Sequence, residues 1–215
     1  MLPLPPPAEL WRRVPRLVAG LVLFGVAIGC MVRADFGLPP WDVLHQGVAR
    51  HTGLAIGTAS IVVGGLVLLL WIPLRERMGI GTVANAVIVG LVIDATMAVV
   101  ETPASTAARV GLLVLGIALF GPGSGLYIGA GLGPGPRDGL MTALARRGRS
   151  VRVVRTAIEL AVLAVGIALG GSVGLGTVAF AVTVGPNVHF FLDRMNVAPP
   201  EAEQVTPDRG TFEPL

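Results

Sequence analysis

The chain has 215 residues, of which 53% are hydrophobic and only 13% are charged. This balance is far too apolar for a soluble domain of ordinary design, so the expected solvent of most of the chain is lipid. The formal net charge of +3 does not indicate nucleic-acid binding, because the arginines lie beside apolar runs and form no separate basic domain.

Apolar runs long enough to cross a membrane follow one another along the chain. A helix needs about 20 mainly apolar residues to cross a hydrocarbon core of roughly 30 Å. The predicted spans are residues 14–32, 54–74, 80–100, 110–132, 153–173 and 174–192. The predicted fold is therefore an all-α membrane protein with six transmembrane helices.

The first span follows a short leader, residues 1–13, that carries prolines and arginines. We expect this span to be retained rather than cleaved as a signal peptide, because no small-residue cleavage site directly follows it. Cys30 lies inside it and is the single cysteine, so an intrachain disulfide is excluded and a packing role is expected. Residues 3–7 and 199–215 are expected to be disordered.

A short helix of mixed polarity is predicted after the first span and again after the fourth. Each begins with a proline, Pro40 or Pro136, at the first helical position, where the missing N–H costs nothing. Asp42 and Asp138 then fall in the first turn, where the helix dipole favours a carboxylate by about 0.3–1 kcal/mol. Either the two carboxylates stabilise interfacial helices, or the helices are re-entrant and form acidic entrances on opposite sides of the membrane.

The second half of the sequence repeats the first. Three blocks match in order: 20–27 with 111–118, 37–50 with 133–146, and 79–90 with 174–185. The third block is the strongest, because both copies share the spelling G-x-G-T-V-A. Each half holds three predicted spans, an odd number, so the two copies enter the membrane from opposite sides. We therefore predict an inverted repeat, the usual architecture of secondary transporters, with a duplication that merely built a stable bundle as the alternative.

Charged side chains within the spans point to function, because burying one near the bilayer centre costs about 2.5–3.5 kcal/mol. Glu159 lies in the fifth span, and Arg155, one turn earlier, can neutralise it as an ion pair. Asp94 lies in the third span, and His189 occupies the matching position of the sixth. Either these two share a proton or hold a cation in a central cavity, or they lie as separate polar groups near opposite membrane faces.

Three further polar residues lie in or beside the G-T-V-A repeat, namely Asn85, Thr82 and Thr177. We expect them first to hydrogen-bond between helices, and secondly to line a pathway. The candidate substrate or ion pathway comprises Asp42, Thr82, Asn85, Asp94, Asp138, Glu159, Thr177 and His189.

The placement of arginine predicts the orientation, since positive residues near helix ends stay on the cytoplasmic side. With the N-terminus inside, Arg33, Arg50 and Arg109 are the arginines of the outer segments, and the inner segments carry many more. Both termini are therefore predicted to be cytoplasmic, with the protein in the cell membrane. The predicted regions are a leader 1–13, a first three-helix repeat 14–100, a second three-helix repeat 109–192 and a tail 193–215.

Three motifs carry a resemblance to a known group. They are G-L-P-P-W-D at 37–42, G-I-G-T at 79–82 and G-P-R-D at 135–138. With them the chain resembles the YczE/YyaS/YitT group of bacterial integral membrane proteins over residues 14–192. The resemblance implies a multi-pass membrane protein without an established activity, so it assigns no catalytic residue to this chain.

No phosphate loop, no paired Cys or His ligands and no serine nucleophile motif occurs in the sequence. We therefore expect no enzyme, no metal and no cofactor, and an intramembrane enzyme lacks a convergent acid, base and nucleophile. The predicted function is transporter-like, for a small solute or ion within the lipid bilayer, and a homo-oligomer is left open. The alternative is a non-transporting accessory or regulatory component that binds a partner through its Arg-rich cytoplasmic loop. A cavity between the repeats that reaches Asp94, Glu159 or His189 favours transport, and a solidly packed interior favours the accessory role.

Overall fold

The chain is helical throughout the part that the computed structural model describes, which is residue 2 and residues 5–148 and 150–197. Over these residues there are eight α-helices and no β-strand. They are α1 (Pro7–Ala34), α2 (Pro40–Thr52), α3 (Ile56–Leu74), α4 (Ile80–Val99), α5 (Thr106–Gly129), α6 (Pro136–Ala145), α7 (Val151–Ala168) and α8 (Leu175–Met195). The predicted all-α class is confirmed, and the expected disorder of residues 199–215 falls outside the described residues.

Among the described helices, five are long and apolar enough to cross a membrane: α1, α3, α4, α5 and α8. They correspond to five of the six predicted spans. The remaining predicted span, 153–173, forms α7, which carries Arg152, Arg155 and Glu159 within 18 residues and does not belong to the five. These three charged side chains, and not its length or apolar content, set it apart from the five.

The first helix begins earlier than predicted, at Pro7 rather than near residue 14. Proline is tolerated in the first helical turn, so Pro7 can begin the helix. No residue between Pro7 and the predicted span interrupts it. Leu2 donates its backbone N–H to the carbonyl of Met78 at 3.0 Å. Leu2 thus contacts the segment just before α4. Of residues 3–7, for which disorder was expected, Pro7 begins α1, and residues 3 and 4 lie outside the described residues.

Both short helices begin at the predicted prolines, Pro40 and Pro136. The first ends at Thr52 because Gly53 follows in the left-handed region, with φ 73°. Its residues pack across the C-terminal end of α7. A Cβ on Gly166 would lie 2.6 Å from the backbone nitrogen of Leu44, so the two helices meet without intervening side chains.

The largest core lies where α1 and α5 cross. A Cβ on Gly20 would lie 2.5 Å from the backbone nitrogen of Tyr127, and one on Gly123 would lie 2.8 Å from that of Phe24. Small residues at such positions let two helix backbones approach closely, which is how helices associate in a membrane. This crossing joins the first helix of one half to the first helix of the other.

The helices form two groups. In the first group, α1 packs on α4 and α5, and α5 packs on α8. In the second group, α2 and α6 each pack on both α3 and α7. The groups are joined where α3 packs on α4, whereas α7 and α8 make no comparable contact. The side of the molecule between α7 and α8 is therefore open relative to the side between α3 and α4.

Loops and helix starts of the two halves contact one another reciprocally. Gly176 donates its N–H to the carbonyl of Phe36 at 2.7 Å, and Gly81 donates to the carbonyl of Leu132 at 2.8 Å. Gly176 matches Gly81 in the sequence repeat, and Leu132 matches Phe36. The segment before each short helix thus holds the start of the last long helix of the other half.

Contacts between helix ends place these ends on two sides of the molecule. α1 has 28 residues and so separates the two sides by about 42 Å. α1, α4 and α7 run towards one side, and α3, α5 and α8 run towards the other. The contacts that join the ends are Arg33–Met97, Arg109–Ala34 and Leu38–Ser172 on the first side, and Arg16–Met195, Val197–Gly129 and Arg146–Glu76 on the second.

Candidate functional site

A buried charged cluster lies between the first turns of α2 and α6. Asp42 is 0% exposed and His45 is 1% exposed. The Nδ1 atom of His45 lies 3.1 Å from Asp42 Oδ1, and Nη2 of Arg137 lies 3.6 Å from the same oxygen. Helix α2 brings Asp42 and His45 together because residues three apart share a helix face. Arg137, the second residue of α6, reaches them from the other half of the chain.

The charge state of this cluster follows from its surroundings. Burial alone would raise the pKa of Asp42, but the charge of Arg137 and the hydrogen bond with His45 outweigh it, and the pKa lies below its ordinary value. Burial lowers the pKa of His45, against the opposing hydrogen bond with Asp42. At neutral pH, Asp42 is therefore ionised, and His45 is neutral and donates its Nδ1–H to the carboxylate.

Trp41 and Arg137 occupy matching positions of the sequence repeat and contact each other. The guanidinium carbon of Arg137 lies 5.4 Å from the centroid of the Trp41 ring, a cation–π arrangement. Residues at matching positions of the sequence repeat contact each other at the boundary between the two halves. The N-terminal turns of α2 and α6 therefore face each other inside the molecule.

A cavity of about 510 Å³ lies between the two helix groups, on the α7 and α8 side. Its volume is within the range of roughly 300–1,000 Å³ that is typical of small-molecule sites. Its aromatic lining consists of Phe24, Trp41, Phe120, Tyr127 and Phe180. Its polar and charged lining consists of Asn85, Ser124, Arg137, Asp138, Arg155, Glu159 and His189.

Two carboxylates of this cavity have partners within it. The hydroxyl of Tyr127 donates to Asp138 Oδ2 at 2.9 Å. Nε of Arg155 donates to Glu159 Oε1 at 2.9 Å, so the predicted i, i+4 ion pair is confirmed. The ion pair and Asp138 present charge to a space that is otherwise mostly apolar.

A second cavity, of only about 20 Å³, lies on the α3 and α4 side. Most of its lining residues match, through the sequence repeat, residues that line the large cavity. The matched pairs are Trp41 with Arg137, His45 with Met141, Pro136 with Pro40, Asn85 with Phe180, Ala86 with Ala181 and Val89 with Val184. The two cavities thus occupy equivalent positions in the two halves, one small and one large.

The structure does not bring Asp94 and His189 together. Asp94 accepts hydrogen bonds from the backbone N–H groups of Gly57 and Thr58 at 2.7 and 2.8 Å, and from the Thr58 hydroxyl at 2.9 Å. It therefore caps the start of α3. His189 is exposed and lies 3.6 Å from Asp193 on its own helix. Of the two alternatives, this geometry fits separate polar groups, because the two residues lie near opposite ends of the molecule.

Thr82 and Thr177 act within their own helices rather than between helices. Each hydroxyl accepts a hydrogen bond from the backbone three residues earlier, from Gly79 and Gly174 respectively, at 3.2 Å in both cases. The predicted interhelical role is corrected accordingly, because these threonines close the first turns of α4 and α8. Neither threonine lines a cavity described above, whereas Asn85 lines both.

The expectation that Asp42 and Asp138 form entrances on opposite sides is also corrected. Arg137, the neighbour of Asp138, lies against Asp42, so both carboxylates belong to one central region. The site also contains His45, Trp41, Arg137 and Tyr127, which were not predicted from the sequence. His45 could have been found from its spacing of three residues after Asp42, and the other three are defined only by tertiary contacts.

No group of three or more His, Cys, Asp or Glu side chains within the described residues could hold a metal ion. The polar groups that face the large cavity instead suit a small organic molecule, because they are few and set among aromatic and aliphatic side chains.

Comparison with known proteins gives relatives over most of the chain. The chain is 39% identical over 184 residues to an "Uncharacterized protein" of Haemophilus influenzae, covering 85% of this chain and 84% of the relative. It is 34% identical over 188 residues to the "Uncharacterized membrane protein YczE" of Bacillus subtilis, covering 86% and 87%. The "Uncharacterized protein YyaS" of the same organism is 23% identical over 178 residues, covering 80% and 89%.

These relatives confirm the resemblance to the YczE-like group. No solved structure matches the chain. The family that matches residues 11–193 is described as "Family of unknown function (DUF6198)", and the chain belongs to that family.

Proposed function

We propose that this protein is a transporter-like membrane protein that moves a small solute or ion by exposing a central site alternately to the two sides of the membrane. The observation that carries the proposal is the pair of cavities at equivalent positions, one of about 510 Å³ and one of about 20 Å³. An accessory role would need no such cavity, and a solidly packed interior would suit it better.

The proposal includes six spans arranged as two inverted repeats. The reciprocal hydrogen bonds of Gly176 with Phe36 and of Gly81 with Leu132 support a two-fold relation between the halves. The alternating direction of the six long helices supports three crossings in each half, which makes the two-fold axis lie in the membrane plane. Helix α7 can cross as the sixth span because Arg155 and Glu159 neutralise each other and face the large cavity.

The proposed motion is a movement of one helix group relative to the other. Rocking the group of α2, α3, α6 and α7 against the other group would separate α3 from α4 and bring α7 onto α8. The small cavity would then open while the large one closes. Such an exchange is energetically plausible in an inverted repeat because each half takes up a packing that the other half already shows.

The orientation with both termini in the cytoplasm is part of the proposal. The large cavity then opens towards the cytoplasm, since its lining includes residues near the ends of α5 and α8 and the start of α7. The three predicted outer arginines each bind a backbone carbonyl: Arg33 that of Met97, Arg50 that of Gly170 and Arg109 that of Ala34. These roles explain why arginine is kept on the outer side.

Paired cysteine labelling tests the proposal. Ala181→Cys in the large cavity and Ala86→Cys at the matching position of the small cavity are introduced singly into a Cys30→Ala background. A membrane-impermeant thiol reagent is applied to right-side-out and inside-out vesicles. We expect Ala181→Cys to react rapidly from the cytoplasmic side and Ala86→Cys to react slowly from the outer side.

Val182→Cys serves as the control, because Val182 neighbours Ala181 but is 70% exposed on the outer surface of the helix bundle and should face lipid. It should react from neither side. Labelling of Ala86→Cys from neither side, or of both cavity positions from the same side only, would contradict alternating exposure.

A further inference from the structure

The charged groups that line the large cavity are paired, with one exception. The pairs are Arg155–Glu159 at 2.9 Å, Arg137–Asp42 at 3.6 Å and His189–Asp193 at 3.6 Å. The exception is Asp138, which has no ion-pair partner among the described residues and accepts a hydrogen bond only from the Tyr127 hydroxyl, at 2.9 Å.

Asp138 lies at a place in the fold that favours a negative charge. It lies in the first turn of α6, where the helix dipole favours a carboxylate. The central region as a whole also has an excess of negative charge. Asp42 and Asp138 contribute two negative charges and Arg137 one positive charge, while His45 is neutral, which leaves a formal charge of −1.

A row of aromatic rings leads away from this carboxylate. The ring of Tyr127 lies 5.7 Å from that of Phe24, which lies 4.4 Å from Phe120, which in turn lies 4.8 Å from Phe180. All four line the large cavity. The faces of aromatic rings attract cations, most strongly where water is excluded. A carboxylate at one end of a row of aromatic rings is an arrangement that binds an organic ammonium group.

From these observations, and resting on the proposed function, we infer that the large cavity binds a small organic cation, an ammonium group that carries apolar substituents. Asp138 supplies the counter-charge, Tyr127 orients the carboxylate, and Phe24, Phe120 and Phe180 contact the apolar substituents. An organic anion fits less well, because Arg137 is already paired with Asp42 and because the carboxylate of Asp138 would repel it.

The test uses the purified full-length protein in detergent and measures the thermal unfolding temperature. Tetrapropylammonium chloride is the cationic ligand, and sodium hexanoate is the anionic comparison. We expect a saturable rise of the unfolding temperature with the cation and none with the anion. Asp138→Asn should weaken the apparent affinity for the cation by about tenfold or more, since it removes the counter-charge.

Asp35→Asn is the matched control, because Asp35 pairs with Arg109 at a helix end and does not line the cavity. It should bind the cation as the unaltered protein does. Phe120→Leu keeps Asp138 and removes one ring of the row, so it tests the same site if Asp138→Asn fails to fold. It should weaken cation binding several-fold.

Three results would overturn the inference: no saturable effect of the cation, a stronger effect of hexanoate, or equal cation affinity in the unaltered protein and in both site variants. The outcome is separable from that of the proposed function. If the cysteines at positions 86 and 181 react from opposite sides but the cation does not bind, the ligand class alone is wrong. If the cation binds but the labelling is one-sided, transport is wrong and a binding site remains.

Discussion

At the residue scale, the cluster of Asp42, His45 and Arg137 couples the two halves of the chain through buried charge. Burying a carboxylate without partners would lower the free energy of unfolding, and the two partners of Asp42 Oδ1 offset that loss. The other oxygen, Oδ2, has no hydrogen-bond partner among the described residues. The cluster is therefore only partly satisfied by hydrogen bonds. It is sensitive to the protonation of His45, because burial lowers the pKa of this imidazole.

This sensitivity predicts a loss of stability in mild acid. The pKa of His45 lies below its ordinary value of 6.5, so the unfolded state takes up a proton first as the pH falls through that value. Stability is thus fully present above about pH 7 and falls by up to about 1.4 kcal/mol per pH unit below 6.5. The lowered pKa of Asp42 adds a further loss only below its ordinary value of 3.8.

Thermal unfolding of the purified protein between pH 7.5 and pH 5 measures this effect. His45→Gln keeps a hydrogen-bond donor for Asp42 but cannot be protonated, so we expect a flatter dependence on pH in this range. His51→Gln, an exposed histidine on the same helix, should leave the dependence unchanged. The same slope in His45→Gln and in the unaltered protein would show that His45 is not the titrating group.

Residues defined by local rules were predictable from sequence, and residues defined by distant contacts were not. The positions of Asp42 and Asp138 in the first turns of their helices follow from the prolines just before them. Asp94 was recognised as an unusual charge, but its partner Gly57 lies 37 residues away in sequence. Nothing local to Asp94 indicates that it caps another helix.

At the element scale, the long helices were predictable because membrane thickness sets their length and apolar character. The short helices were predictable in position, but not in burial, since they lie among other helices rather than flat on a surface. The packing also differs between the halves. Asp94 holds the start of α3 to α4, whereas His189 at the matching position of α8 contacts Asp193 and makes no such link to α7.

This difference predicts the effect of removing the Asp94 side chain. Asp94→Ala deletes three hydrogen bonds at the start of α3 and should lower the free energy of unfolding by about 1–2 kcal/mol. Because α3 and α4 then separate more easily, labelling of Ala86→Cys from the outer side should become several times faster. Stability is measured by thermal unfolding and exposure by the labelling rate.

Asp193→Ala is the control for Asp94→Ala, because it removes an exposed carboxylate of α8 that joins no other helix. It should change neither the stability nor the labelling rate at position 86 appreciably. If Asp94→Ala lowered stability without faster labelling, Asp94 would be a helix cap with no influence on the opening of the small cavity.

At the scale of the whole molecule, two halves of similar sequence enclose two cavities of very different size. The sequence predicts the repeat, and the odd number of predicted spans in each half makes its inversion a further prediction that labelling must test. It could not predict which cavity is the larger, because this depends on how closely the long helices of each half pack against each other. α3 approaches α4 closely at Gly57 and Gly90, where a Cβ on either glycine would clash with the backbone carbonyl oxygen of the other.

The proposed transporter-like function requires the two halves to stand in the membrane in opposite orientations. The most direct measurement uses His51→Cys and Arg147→Cys, which are exposed at matching positions just at and after the ends of α2 and α6. Each is made in a Cys30→Ala background and exposed to a membrane-impermeant maleimide on intact cells and on inverted vesicles. We predict that His51→Cys reacts only from the outer side and Arg147→Cys only from the cytoplasmic side. Reaction of both from the same side would contradict the inverted arrangement and, with it, the transporter-like function.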